Sequence, residues 1–141
     1  MQILLEKLQT EIEKFKQRLK NIKNTINLWK SRGLSIYAKA NIIKTLLFPK
    51  MIYRSSVICT PHEVIKEFNS LIFRFLWKGN DKVTRRSTYA PYEQGGLKML
   101  HYDNMVKALR LSWLKLIVDP DYFGFWKPYL DHLLVNEGGY F

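Results

Sequence analysis

The sequence has a single cysteine, Cys59, and no long run of apolar residues. One cysteine excludes an internal disulfide and a zinc site built from cysteines. No segment approaches the roughly 18 uninterrupted apolar residues that predict a membrane span, so we expect no membrane partner. The N-terminal residues, MQILLEKLQTEIEK, carry acids and amides where a signal peptide needs an apolar core. We therefore expect an intracellular protein, in the cytoplasm or the nucleus.

Signatures of catalysis and of cofactor binding are missing as well. His62, His101 and His132 are far apart and show no metal-ligand spacing, so we expect no metal site. The sequence has no phosphate-binding glycine loop, no dinucleotide fingerprint and no nucleophile elbow. Asp119 and Asp121 flank a proline at a predicted helix end, where capping explains both. We expect no catalytic residue and no cofactor in this chain.

Acidic residues are missing from one long stretch. Between Glu13 and Glu63 the sequence has eleven basic residues and no acidic one. Residues 1–60 hold 12 Lys and Arg against 3 Asp and Glu, whereas residues 61–141 hold 11 against 9. Helix surfaces usually mix both signs, because opposite charges four positions apart are mildly favourable and like charges are not. A stretch that carries only positive charges favours binding to a polyanionic partner. The alternative is that the protein is basic in general and has no such partner.

Helical periodicity is the main positive signal. The 141 residues, of which 47% are hydrophobic, suit one folded domain. Near the N-terminus, apolar residues alternate at spacings of three and four: Leu5, Leu8, Ile12, Phe15, Leu19, Ile22, Ile26 and Trp29. This heptad stripe predicts one helix from near residue 2 to residue 30, about 40 Å long. The stripe either packs against the rest of the domain or pairs with a second copy as a coiled coil through residues 5–29.

Residues that start or stop helices divide the next part of the chain. Gly33 suits a left-handed residue after the first helix, and Ser35 is a candidate N-cap for the second. Pro49 is expected to end that second helix and to open a short third one. At residues 60–63 the sequence TPHE predicts a capping box with its threonine as the cap. The amphipathic helix that follows is expected to end at Trp77.

The remaining chain predicts loops and one further strong helix. Residues 78–90 are polar and predict an exposed loop, and Gly95-Gly96 allows one short β-hairpin near 88–100. Residues 105–118 predict a helix that is apolar on two sides and ends before a proline. The aromatic segment 121–130 is expected to pack back on the domain or to dock on another molecule. The predicted fold class is mainly α, a helical bundle with one long N-terminal helix.

Short motifs follow one another between residues 29 and 115. They are Trp29, Leu34-Ser35, Lys39, Ile42-Ile43-Lys44, Leu47, Pro49-Lys50, Tyr53, Phe75-Leu76-Trp77-Lys78-Gly79, Arg86-Ser87, Pro91, Gly95-Gly96-Leu97 and Lys107-Ala108-Leu109 with Trp113. Their order and spacing resemble the segment after the polymerase palm in LINE-type (non-LTR) retrotransposon reverse transcriptases. Ala38 is a departure, because the family usually has glycine at that position.

The resemblance implies a thumb-like helical segment at residues 1–77 and a post-thumb basic loop and helical connector at residues 78–141. The sequence lacks the polymerase aspartates, the endonuclease domain and the C-terminal Cys/His motif of the family. The resemblance therefore implies a non-catalytic fragment of an RNA-directed DNA polymerase. We expect this fragment to bind RNA or an RNA–DNA hybrid through backbone contacts, which need basic side chains rather than a base code. The nucleic-acid-binding residues that we expect are Lys39, Lys44, Lys50, Arg54, Lys78, Arg85 and Arg86.

Other interpretations stay open at this point. The chain can be a helical interaction module, which self-associates through residues 5–29 or docks on the missing polymerase palm. It can also be a decayed open reading frame with no selected function. Lys39 falls between two apolar groups of its helix, where it either snorkels or reaches a ligand. Some aromatic residues can stack on unpaired bases, although their helical spacing favours core packing: Phe73, Trp77, Trp113 and Trp126.

Overall fold

Helices make up most of the computed structural model, which describes residues 1–135 and residue 138. The α-helices are α1 (Gln2–Lys30), α2 (Ile36–Ile42), α3 (Phe48–Ser55), α4 (His62–Trp77), α5 (Arg85–Tyr89), α6 (Tyr102–Val118) and α7 (Lys127–Val135). A π-helical turn, Ile43–Leu47, joins α2 to α3, and a short 3-10 helix covers Tyr92–Gln94. The described residues form no β-strand. The prediction of a mainly α fold with one long N-terminal helix is confirmed.

The long helix α1 packs only part of its apolar stripe. Phe15, Leu19 and Ile22 are buried in the hydrophobic core, and α1 contacts both α3 and α4. Leu5 and Leu8, at the start of the same stripe, are 59% and 60% exposed. The stripe is therefore a packing surface from Phe15 onward and a largely uncovered apolar surface at its beginning.

The turn after α1 does not use a left-handed glycine. The chain leaves α1 through Ser31, which has a right-handed φ of −74°. Gly33 does not have a positive φ, so the prediction of a left-handed residue there is wrong. The Ser35 N-cap of α2 is confirmed, since its Oγ accepts a hydrogen bond from the Ala38 amide at 3.2 Å. Ala38, the departure from the family pattern, fits the first turn of this helix.

Pro49 opens α3 as predicted, but the chain does not leave the helical conformation before it. Proline has no N–H, and its ring crowds the carbonyl four residues earlier, so it cannot lie inside a regular α-helix. The preceding turn widens into the π-helical turn Ile43–Leu47, which accommodates the ring. Pro49 itself lies in the first turn of α3, where an N–H is not needed. As a result, α2 and α3 form one connected helical path.

The predicted capping box at the start of α4 is wrong. The N-cap of α4 is Pro61, and no side chain caps the helix. Thr60 is buried, and its hydroxyl donates to Ser55 Oγ at 2.8 Å. The hydroxyls of Ser55 and Tyr102 also share a hydrogen bond. A buried hydroxyl needs a hydrogen-bond partner. The Thr60 hydroxyl bonds within this cluster between α3 and α6, so it does not cap the start of α4.

Residues 88–100 do not form the hairpin that the glycine pair allows. The amides of Leu97 and Met99 both donate to the Thr88 carbonyl, at 3.1 and 3.0 Å. A strand ladder would instead give each amide its own carbonyl. A Cβ placed on Gly96 would lie 2.0 Å from the Ala90 carbonyl oxygen, so the two ends of this segment approach too closely for any residue other than glycine at position 96. The expected loop at residues 78–90 is not entirely a loop, because it contains the helix α5. The end of α5 also belongs to the segment 88–100.

The chain divides into two compact units, Met1–Lys107 and a second unit that begins at Ala108. The first unit contains the whole buried hydrophobic cluster, of which Val106 is the last member. In the second unit the rings of Trp113 and Trp126 pack edge to face, with their centroids 6.0 Å apart. Part of the aromatic segment thus packs within its own unit. The division after residue 77 that the resemblance implies stays a prediction.

Candidate nucleic-acid interface

Lys50 lies on α3 and faces α1. Its ammonium donates to Thr25 Oγ1 at 2.7 Å, and its backbone carbonyl accepts a hydrogen bond from Arg18 Nη1 at 2.9 Å. Thr25 is a neutral partner and the Lys50 side chain is exposed, so the ammonium retains donors for a ligand. Sequence reasoning did not place Arg18 among the binding residues. The sequence places Arg18 in the acid-free basic run and off the apolar stripe of α1, where it faces solvent or a partner.

Arg54, one turn further along α3, is paired with a carboxylate. Its Nε donates to Glu11 Oε2 at 3.1 Å, and its Nη2 bonds to the same oxygen. The hydrogen bond from Arg54, followed by that from Lys14, lowers the pKa of the Glu11 carboxyl. A guanidinium that is already bound to a carboxylate attracts a phosphate less strongly. The geometry therefore makes Arg54 a link between α1 and α3.

Two lysines meet at the C-terminal end of α4, which lies at Trp77 as predicted. Lys39 is only 6% exposed, and its ammonium donates to the Leu76 carbonyl at 3.3 Å. Burial, followed by the charge of Lys78, lowers the pKa of Lys39. Carbonyls at the end of a helix lack intrahelical partners and attract cations, which explains the position of Lys39 without a ligand. Lys78 is exposed and has a left-handed φ of 55°.

Lys44, in the π-helical turn, is half-buried against the segment that contains the 3-10 helix. Its ammonium donates to the Leu97 carbonyl at 2.8 Å and to the Tyr92 hydroxyl at 3.0 Å. The nitrogen also lies 5.2 Å from the centroid of the Tyr92 ring. These contacts hold residues 92–97 against the helical path of α2 and α3.

Arg85 and Arg86 open α5, and both are exposed. Arg85 Nε donates to Asp81 Oδ2 at 2.8 Å, and its guanidinium lies 4.5 Å from the centroid of the Phe73 ring. Arg86 makes no ion pair or side-chain hydrogen bond with any residue of the described part of the chain. Arg86 is therefore the more available cation of the two.

Contacts place six of the seven expected residues in three neighbourhoods rather than one cluster, and Arg86 follows Arg85 in α5. The first is the contact of α1 with α3, the second is the C-terminal half of α4, and the third is the segment at residues 92–97. Arg85 belongs to the second neighbourhood because it covers Phe73, a residue of α4. The exposed members of the set are Lys50, Lys78, Arg85 and Arg86.

The aromatic residues divide between core and surface. Phe73 is buried, and Trp77 is half-buried against the core with an indole N–H that has no hydrogen-bond partner in the described chain. Core packing is thus the observed role of these two side chains. Trp113 remains partly exposed beside Trp126 in the second unit. Stacking of bases on this pair stays a hypothesis.

The described residues contain neither a metal-binding cluster nor a membrane-spanning helix. Within residues 1–135 and 138, no three His, Cys, Asp or Glu side chains come together as a metal ion would require. None of the helices in that part combines the length and the apolar character that crossing a membrane needs. No protein-family model matches the sequence. The family origin inferred from the motifs between residues 29 and 115 therefore stays a hypothesis.

Proposed function

We propose that this chain is a non-catalytic fragment of a LINE-type RNA-directed DNA polymerase, with the thumb-like segment and the connector after it. It binds template–primer nucleic acid, as RNA or an RNA–DNA hybrid, through the sugar–phosphate backbone and without reading sequence. It acts where such RNA occurs, in the cytoplasm or the nucleus. The observation that carries the proposal is the acid-free basic run from Lys14 to Arg54, which spans most of α1, the connection after it, α2, the π-helical turn and most of α3.

Pairing within the protein does not account for this basic run. Of its eleven basic residues, Lys14, Lys23 and Arg54 make ion pairs with described carboxylates. The other eight make no ion pair within residues 1–135 and 138. Like charges that lie near each other without a counter-charge repel, and a polyanion relieves that repulsion. The charge pattern thus supports binding to a nucleic-acid backbone.

The expected binding residues have two kinds of role in this proposal. Lys39, Lys44 and Arg54 donate to acceptors within the protein, so they position the helices and the segment at residues 92–97. The exposed cations contact phosphates: Lys50, Lys78, Arg85 and Arg86. Such contacts fix a protein on a duplex but carry no sequence information.

The proposal is tested by binding of the purified chain to an RNA–DNA hybrid, single-stranded RNA and duplex DNA across a salt titration. If about six phosphates are neutralised, affinity falls about a thousandfold between roughly 50 and 200 mM salt. Different base sequences of one nucleic-acid type should bind equally well. A salt slope near zero would contradict backbone binding.

Two double variants test which cations contact the phosphates. Lys78→Gln with Arg86→Gln should reduce the logarithmic salt slope by about two, since each lost phosphate contact removes about 0.9. The matched control is Lys107→Gln with Lys115→Gln, which removes the same charge from exposed positions on α6. The control should change the slope little. Equal effects of the two double variants would show that net charge alone sets the affinity, and would refute the residue assignment.

Self-association through α1 is a second candidate function, favoured by the exposure of Leu5 and Leu8. Pairing with another copy would bury both residues in a heptad seam. Sedimentation velocity without nucleic acid should then show a dimer that increases with concentration and disappears in Leu5→Lys with Leu8→Lys. Leu28→Lys changes an exposed leucine of α1 outside the stripe and serves as the control. A monomer that binds no nucleic acid would leave two interpretations, docking on the missing polymerase palm and a decayed reading frame.

A further inference from the structure

An open groove of about 350 Å³ lies between α1 and α3. It is lined by Arg18, Asn21, Asn24, Thr25 and Lys50. All five side chains are polar, two are cationic and none is acidic. Apart from Lys50, these residues belong to α1 and precede the motifs that carry the family resemblance. The groove is thus a feature that only the folded chain reveals.

The two cations of the groove are held in place by neutral acceptors. Arg18 Nη1 donates to the Lys50 carbonyl at 2.9 Å, and the Lys50 ammonium donates to Thr25 Oγ1 at 2.7 Å. Neither cation makes an ion pair within the part of the chain that the structure describes. A guanidinium has five N–H donors and an ammonium has three, so each retains most of its donors. Two positive charges are therefore held in the lining of one groove without a counter-charge.

The amide side chains complete a lining that is rich in donors. Gln17 Nε2 donates to Asn21 Oδ1 at 3.4 Å, which leaves the NH2 group of Asn21 as its available donor. Asn24 lines the same side of the groove from the next turn of α1. Fixed cations and amide N–H groups bind oxyanions, and a guanidinium matches the geometry of a phosphate in particular.

We propose that this groove is a phosphate site, in which Arg18 and Lys50 bind one phosphate group and the two asparagine amides orient it. In the complex with nucleic acid, the group is a backbone phosphodiester, and this part rests on the function proposed above. The groove then extends the interface from α3 onto α1. It also gives the Arg18–Lys50 contact a role besides joining the two helices, namely to hold both cations ready for the ligand.

The first experiment uses inorganic phosphate and does not depend on nucleic acid. Phosphate should raise the thermal unfolding midpoint of the intact chain more than chloride at equal ionic strength. The effect should be lost in Arg18→Gln with Lys50→Gln and kept in the control Lys107→Gln with Lys115→Gln. Circular dichroism must show that both double variants are folded. Equal stabilisation of the chain and of the groove variant by phosphate would overturn the site.

The second experiment measures binding of the same three proteins to an RNA–DNA hybrid. The groove variant should bind roughly tenfold more weakly, with a salt slope smaller by about 0.9, as expected for one lost phosphate contact. If both variants bind alike, the groove is not part of the nucleic-acid interface, although the proposed function stands. If the intact chain binds no hybrid but gains stability from phosphate through the groove, the proposed function fails and the groove remains an oxyanion site.

Discussion

Lys39 and Lys50 lie on the same helical path, but their side chains have opposite environments. Lys50 is exposed and its ammonium bonds to a threonine hydroxyl, whereas Lys39 is buried and bonds to the end of α4. A charge that is removed from water needs a compensating partner, and a helix C-terminus supplies one. The buried lysine is therefore a structural residue of the first unit, and the exposed one is available to a ligand.

The burial of Lys39 predicts a pH dependence of stability. Below its folded-state pKa both folded and unfolded Lys39 are charged, so the cost of burying the charge is fully present. Between that lowered pKa and the ordinary lysine value of 10.5, the folded chain has lost a proton that the unfolded chain keeps. The contribution of Lys39 to the free energy of unfolding therefore rises with pH in this window.

Urea denaturation of the intact chain and of Lys39→Met at increasing alkaline pH measures this contribution. The free energy of unfolding of the intact chain, minus that of the variant, should increase as the pH approaches 10.5. The same substitution at Lys30, which is exposed, provides the baseline for removing one lysine. A difference that stays constant over the alkaline range would contradict the burial of the Lys39 charge.

At the scale of elements, α1 shows that one periodic stripe can have two environments. Ile22 is fully buried and Leu5 is more than half exposed, although both belong to the same heptad pattern. The difference arises because α3 and α4 cover only part of the length of α1. The uncovered turns do not stabilise the fold, and they are the part of α1 that another molecule can contact.

Truncation of these two residues should therefore have unequal effects. Ile22→Ala should lower the free energy of unfolding by about 2–5 kcal/mol, through lost burial and a cavity. Leu5→Ala should change it by less than about 0.5 kcal/mol, as is usual for exposed sites. Urea denaturation of both variants at a concentration where the chain is monomeric checks the prediction. Similar losses at the two positions would mean that α1 is covered along its whole length.

At the scale of the whole molecule, the buried core belongs to the first unit, Met1–Lys107. A fragment of residues 1–118 keeps this unit and all of α6. We expect it to unfold cooperatively in urea, because its core is intact and the denaturant dependence follows the surface that unfolding exposes. A fragment that begins at residue 31 loses Phe15, Leu19 and Ile22 and should not fold. Non-cooperative unfolding of fragment 1–118 would show that the part of the second unit after residue 118 is needed for the core.

Several elements were predictable because their signals are local. The Ser35 cap, the proline in the first turn of α3 and the end of α4 at Trp77 depend on residues within one or two turns. The sequence pattern does not predict the helix α7, because its first residues lie within the aromatic segment 121–130. Its second residue, Pro128, was a usable signal, because proline is common in the first turn of a helix.

The amino-acid sequence by itself determined the mainly helical fold class, the long first helix and the basic, acid-free character of residues 14–54, since periodicity and charge are properties of the chain. Only the tertiary structure decided which cations are exposed and which are bound internally. Those outcomes depend on contacts between distant residues, such as Arg18 with Lys50 and Lys39 with Leu76, which are 32 and 37 positions apart. A sequence pattern indicates which side of a helix is apolar. It does not indicate which other part of the protein packs against that side. The phosphate groove proposed here has the same origin, because its walls come together only when α1 packs against α3.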